Sequence, residues 1–172
     1  VKKPNEAGER DGAFIRKYEV GERRFPNLEL SGAYLNGAHL TQVDLSGANL
    51  QGAHLQKTAL NDSDLRGAQL NGADLEKSLL RRVKFCGAQM RKVSLQGADL
   101  RDANFSAADL SKANLREADL RNCILRGAGL SQADLSNARL DGAIFDDAIY
   151  CRQTVFPPGF CPADSGLLPA EE

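Results

Sequence analysis

A large apolar or aromatic residue stands at every fifth position from Phe25 to Tyr150 without a break, and the residue two places before it is nearly always small, most often Ala. A repeat this short fits neither the 3.6-residue period of an amphipathic helix nor the alternation of an isolated strand. The chain must turn a corner within each repeat. Long helices are therefore excluded between 25 and 150, and the region reads as a solenoid. The aromatic residues report the number of sides. Phe25, Phe85, Phe105 and Phe145 differ by multiples of 20, so a four-sided coil places all four in one interior column, where aromatic rings stack well.

Residue sizes follow from that geometry. A large side chain from each of four sides fills the axis and leaves room only for small residues such as Ala53, Ser63, Val83 and Cys123 at the second inward position. Gly often stands two places after the large residue, as at Gly32, Gly52 and Gly127, where the backbone rounds the corner. Asn, Asp, Lys and Arg also occur there, so a positive φ is not expected at every corner. Coil stacked on coil should add about 4.8 Å per turn and give a rod of about 30 Å.

Stretches such as Ala48-Asn49-Leu50-Gln51-Gly52, Ala98-Asp99-Leu100-Arg101-Asp102 and Ala118-Asp119-Leu120-Arg121-Asn122 resemble the A(D/N)LXX consensus of the pentapeptide-repeat family. That resemblance implies an all-β, right-handed quadrilateral β-helix with one pentapeptide per side and about six coils. Its members include cyanobacterial proteins of unassigned role, chloroplast-lumen proteins, and a branch that mimics DNA and protects or inhibits gyrase. The opening from Tyr18 to Phe25 is similar to that of cyanobacterial members. The motif is specific for fold and uninformative about function.

Three segments are expected: an N-terminal tail and capping helix over 1–24, the solenoid over 25–150, and a C-terminal cap and tail over 151–172. With 172 residues and 42% hydrophobic content the chain forms one domain with a continuous core. Solenoid ends expose unpaired edges that invite association unless covered. Gly12–Val20 reads as a short amphipathic helix with Phe14 and Tyr18 on one face, ended by Gly21. At the other end Phe156-Pro157-Pro158-Gly159-Phe160 breaks the period. Cys151 and Cys161 flank this aperiodic stretch, and a disulfide between them would hold the cap. Cys123 is expected to be buried and inert, and Cys86 to face solvent. The outward pair Ile124 and Ile144, with Ile149 nearby, is expected to be roofed by Phe156, Phe160 or Leu167; the alternative is a partner or self-association site.

No catalytic, cofactor or metal motif is present. His39 and His54 fall on different sides and are expected to be solvated. Lys plus Arg number 22 against 23 Asp plus Glu, a balance that argues against nucleic-acid or anionic-membrane partners. No apolar run approaches a membrane span, and the segment after Val1 lacks a signal-peptide core. A bridged Cys151–Cys161 pair would suit the thylakoid lumen or periplasm, and free thiols the cytoplasm. The most pointed surface feature is a column of Arg81, Arg101 and Arg121, with Arg82 beside the first. It is a candidate docking stripe for an acidic partner, although Asp99, Asp102 and Asp119 stand close enough to compensate it. These residues favour a non-enzymatic interaction or regulatory module with a protein partner, over a DNA-mimicking topoisomerase modulator and over an enzyme.

Overall fold

The computed structural model describes residues 6–170. The expected tail within 1–5 and the last two residues lie outside them. Helix α1 (Glu6–Glu19) leads into a four-sided β-helix, followed by strand β1 (Ile149–Tyr150), a single 3-10 turn (Ala163–Ser165) and strand β2 (Leu168–Pro169). Each side contributes one bridging residue, paired in parallel with the residue 20 further on, as in Asp44↔Asp64↔Lys84↔Asn104. Such short sides form isolated bridges rather than long strands. The last pairing, Asp134↔Val155, spans 21 residues, so one extra residue enters after Tyr150 and ends the regular register.

Backbone bonding repeats with the coil. The N–H of each large residue from Phe25 to Leu135 donates to the next coil, as does that of the residue two places on from Asn27 to Gly127, for example Leu50 to Gln69 O at 2.7 Å and Gly52 to Asn71 O at 3.0 Å. A bond such as Ala53 N–H to Leu50 O at 3.1 Å closes the corner. Every corner residue from Asn27 to Asp147 has a positive φ, including Lys57 (56°), Arg82 (55°) and Ala107 (56°). This corrects the expectation that a left-handed residue is not needed at each corner. The third turn position must be left-handed for the chain to change direction with that bond intact, and side chains other than Gly accept the strain because the ladders above and below hold the backbone.

The axis is packed solid with Leu, Phe and Met, and the small residues pack between them. Phe25, Phe85, Phe105 and Phe145 are buried, and Phe85 stacks on Phe105 at 4.9 Å. Polar residues at the small position are satisfied internally: Thr58, Ser63 and Ser78 donate to the carbonyls of Leu35, Leu40 and Leu55 in the preceding coil. Cys123 is buried in the same way with its Sγ on Leu100 O, and burial pushes its thiol up to about 12.

Both ends carry caps that continue the core. Helix α1 is longer than the sequence pattern indicated and ends in a Schellman turn, with Glu22 N–H on Lys17 O, Gly21 N–H on Tyr18 O and Gly21 at φ 101°. Phe14 sits edge-on to Phe25 at 4.8 Å. Two of its side chains reach open backbone groups of the first coil: Asp11 accepts Tyr34 N–H at 2.8 Å, and Tyr18 donates to Thr41 O at 2.9 Å. At the C-terminal end Phe160 packs on Phe145, Phe156 packs on Tyr150, and Leu167 is buried. The expected Cys151–Cys161 bridge is absent, and both thiols are free. Cys151 Sγ instead accepts Gln132 N–H at the coil edge, while Cys161 is exposed on the outer loop. The expected roof over Ile124 and Ile144 is also corrected. The aromatic cap covers the end of the axis, so Ile144 (36%) and Ile149 (42%) remain exposed on the flanks.

The corner geometry sets a clear expectation for Gly67, where an added Cβ meets nothing within 4 Å and φ is 64°. Gly67→Ala should lose about 1 kcal/mol from backbone conformation alone, read as a lower urea midpoint with an unchanged denaturant slope.

Candidate functional site

The residue just before each large one is often Asp or Asn because the corner leaves one backbone donor without a ladder partner. That donor is the N–H of the residue after the large one. Asp64, Asp99, Asn104 and Asp119 accept it from Arg66, Arg101, Ser106 and Arg121. Where that carboxylate or amide is missing, an Asn from the previous coil substitutes, as Asn61 does for Arg81 N–H at 2.8 Å.

The same carboxylates organise the arginine column on the side that carries Leu80, Leu100 and Leu120. Arg101 grips Asp99 with two bonds, Nε to Oδ1 at 2.8 Å and Nη2 to Oδ2 at 2.6 Å. Arg121 grips Asp119 identically at 2.8 and 2.6 Å. Longer pairs from Arg101 and Arg139 to Asp119, both at 3.8 Å, tie successive coils together. Arg82 forms a two-bond pair with Asp62 at 2.6 and 2.8 Å. Side-chain hydrogen bonds from these arginines hold Asp62, Asp99 and Asp119 below the ordinary carboxylate range, and Asp99 and Asp119 also accept a backbone N–H.

The column is therefore a neutralised lattice rather than an open cationic stripe, with Arg81 its exception. A groove of about 380 Å³ runs beside it, lined by Arg81, Arg101, Asp102, Arg121, Asn122, Asp141 and Gly142. His39 and His54 lie in different ladders, and His54 stacks on Tyr34 at 4.5 Å. No group of three or more potential metal ligands occurs among the described residues. No described helix is long and apolar enough to cross a membrane.

Sequence reasoning named Arg81, Arg82, Arg101 and Arg121 but read the neighbouring aspartates only as charge compensation. Their recurrence immediately before the large residue was the available signal for a role at the corner. The contacts of Asp11 and Tyr18 with the first coil left no such periodic trace.

The pentapeptide-repeat model matches eight copies over residues 29–67, 68–106 and 103–142, and the chain belongs to the pentapeptide-repeat family. It is similar to HetL, a pentapeptide repeat protein involved in heterocyst differentiation regulation in the cyanobacterium Nostoc sp. strain PCC 7120. The identity is 32%, over 81% of this chain and 69% of that one, with a TM-score of 0.46. A pentapeptide repeat protein of the Arabidopsis thaliana thylakoid lumen is 25% identical over 60% of this chain and 72% of that one, with a TM-score of 0.57. QnrB1, a plasmid-mediated fluoroquinolone resistance protein, is 18% identical over 86% of this chain and 91% of that one, at a TM-score of 0.49. No curated protein sequence matches the chain. Proteins of this family fold as right-handed quadrilateral β-helices.

Acid should dismantle the surface lattice. Asp62, Asp99 and Asp119 have folded-state pKa values below their unfolded ones. Their contribution is present above about pH 4 and is lost as pH falls through the lower folded values. The melting temperature should drop below about pH 4, and less steeply in the Asp99→Asn, Asp119→Asn double variant.

The thiols give a separate expectation. Burial opposes ionisation of Cys151, yet the Gln153 N–H, the Thr154 hydroxyl and the Gln132 N–H bring its thiol below the usual value. Labelling of the native protein near pH 7.5 (roughly a unit below a free thiol) should modify Cys151 first. Cys86 and Cys161 should follow, and Cys123 only on unfolding.

Proposed function

We propose that the chain is a non-enzymatic protein-binding or regulatory scaffold, a rigid rod that presents a lateral face to a protein partner. The observation that carries this reading is the axis itself. Leu, Phe and Met fill it from end to end, so any ligand has to be met on the outer surface. The face carrying Arg81, Arg82, Arg101 and Arg121 is the candidate contact surface, because Arg82, Arg101 and Arg121 are already held by carboxylates and such paired side chains lose little further freedom on binding.

No cofactor is assigned to this function. A DNA-mimicking action on gyrase is disfavoured by the even balance of 22 basic and 23 acidic residues, since a mimic needs a strongly negative surface. The likeness to QnrB1 supports a shared fold only. The relatives include a thylakoid-lumen protein as well as cyanobacterial proteins, so the lumen and the cytoplasm both suit the chain, and the free Cys151 and Cys161 do not choose between them.

Cross-linked capture from native extract tests the reading, with the wild type compared against Arg81→Glu, Arg101→Glu, Arg121→Glu together. The triple variant should recover at least tenfold less of the partner, with the circular-dichroism spectrum retained, and salt should weaken wild-type capture. Equal recovery by both proteins removes this face. Potent inhibition of gyrase supercoiling by the wild type replaces the scaffold reading with DNA mimicry.

A further inference from the structure

Arg82, Arg101 and Arg121 are each committed to a carboxylate, whereas among the described residues Arg81 has no ion-pair partner and its guanidinium makes no hydrogen bond. Its Nε is the only buried side-chain nitrogen or oxygen without a hydrogen-bond partner among the described residues. The cause is local and legible in the chain. Asp99 and Asp119 precede Leu100 and Leu120, but the equivalent residue before Leu80 is Leu79. Replacing the carboxylate with a leucine leaves the guanidinium unpaired and also brings an apolar side chain to the surface. Leu79 is 46% exposed and is bridged to Ala59 in the coil before and Asp99 in the coil after. Asp62 and Asp99 feel the charge of Arg81, but both are already gripped by Arg82 and Arg101.

We propose that Arg81 and Leu79 together form the docking point for a protein segment that carries a carboxylate next to an apolar side chain. The Nε itself is buried, so the docking donors are the two outer Nη groups at the groove, whose parallel N–H bonds match a carboxylate. Leu79 supplies the apolar contact beside it, at an outward position where its neighbours along the axis are mostly polar. The adjoining groove gives the segment a path along the rod. Asp102 and Asp141 line that groove, so the occupant carries a single acid at Arg81 and neutral or basic residues beyond it. This inference rests on the lateral-face reading and narrows it from the column to one of its members.

The test is an NMR titration of the labelled full chain with N-acetyl-Asp-Leu-amide and with its Asn isostere. The acidic peptide should produce saturable shifts at Arg81 Nε–Hε and the Leu79 methyls, with at least tenfold weaker binding of the Asn peptide. Arg81→Gln should abolish the response and Leu79→Ser weaken it severalfold, while Arg66→Gln, on another side of the coil and paired with Asp64, changes affinity less than twofold. Equal response to both peptides, shifts spread evenly over Arg101 and Arg121, or no shift at about 10 mM peptide (weaker than any millimolar contact) would overturn the proposal. So would self-association of the free chain that Leu79→Ser removes, which would assign the patch to a second copy. If the peptide fails while partner capture still depends on the triple charge reversal, the lateral face stands and this docking point alone falls.

Discussion

The structure depends on a left-handed residue at every corner. An L-amino acid pays for a positive φ unless it is glycine, yet the chain accepts that cost from Asn27 to Asp147 with many side chains other than Gly. It does so because the turn directs a large side chain inward on each of four sides. The resulting column buries almost every large residue, and the backbone ladders on either side of a corner keep it from relaxing to a lower-energy conformation. Corner strain and core packing are thus two parts of one arrangement.

Turning so often leaves backbone groups to satisfy, and the surface chemistry follows from that requirement. The donor after each large residue finds no neighbour in the next coil, so an Asp or Asn just before the large residue accepts it. Once placed there, a carboxylate can also hold an arginine two residues on. Arg66, Arg101 and Arg121 are gripped in this way. The paired surface is therefore a by-product of corner satisfaction, and a position that departs from it, such as Leu79, changes both backbone and surface bonding at once. Exposed pairs of this kind contribute little stability individually; their consequence is an ordered outer face.

The ends of the rod solve a different problem. A coil without a neighbour has open donors and acceptors, and the two caps treat them unequally. Helix α1 supplies Asp11 and Tyr18 to the first coil and continues the aromatic column with Phe14. The C-terminal segment covers the last coil with Phe156, Phe160 and Leu167 and adds β2 beside β1. Its Pro157-Pro158 stretch has no N–H to donate, so there it covers the edge without pairing to it.

The five-residue period determined the solenoid and the inward place of Cys123, and the spacing of Phe25, Phe85, Phe105 and Phe145 by multiples of 20 determined the four sides and the shared column. Each of these is a matter of register, and register is written in spacing. The charged column at Arg81, Arg101 and Arg121 was legible for the same reason. Which of those arginines are spent was also written locally, in the Asp99 and Asp119 two places before Arg101 and Arg121 and the Leu79 two places before Arg81; tertiary structure added the pairs between coils, such as Arg82 with Asp62. It also decided the corner φ values, which are imposed by closure of the coil rather than by the residue at the corner. The caps lie outside the period, where nothing in the spacing says which surface a segment will cover. Hence Cys151 turns to the coil edge instead of bridging to Cys161, and Ile144 stays in solvent while the aromatic residues close the axis.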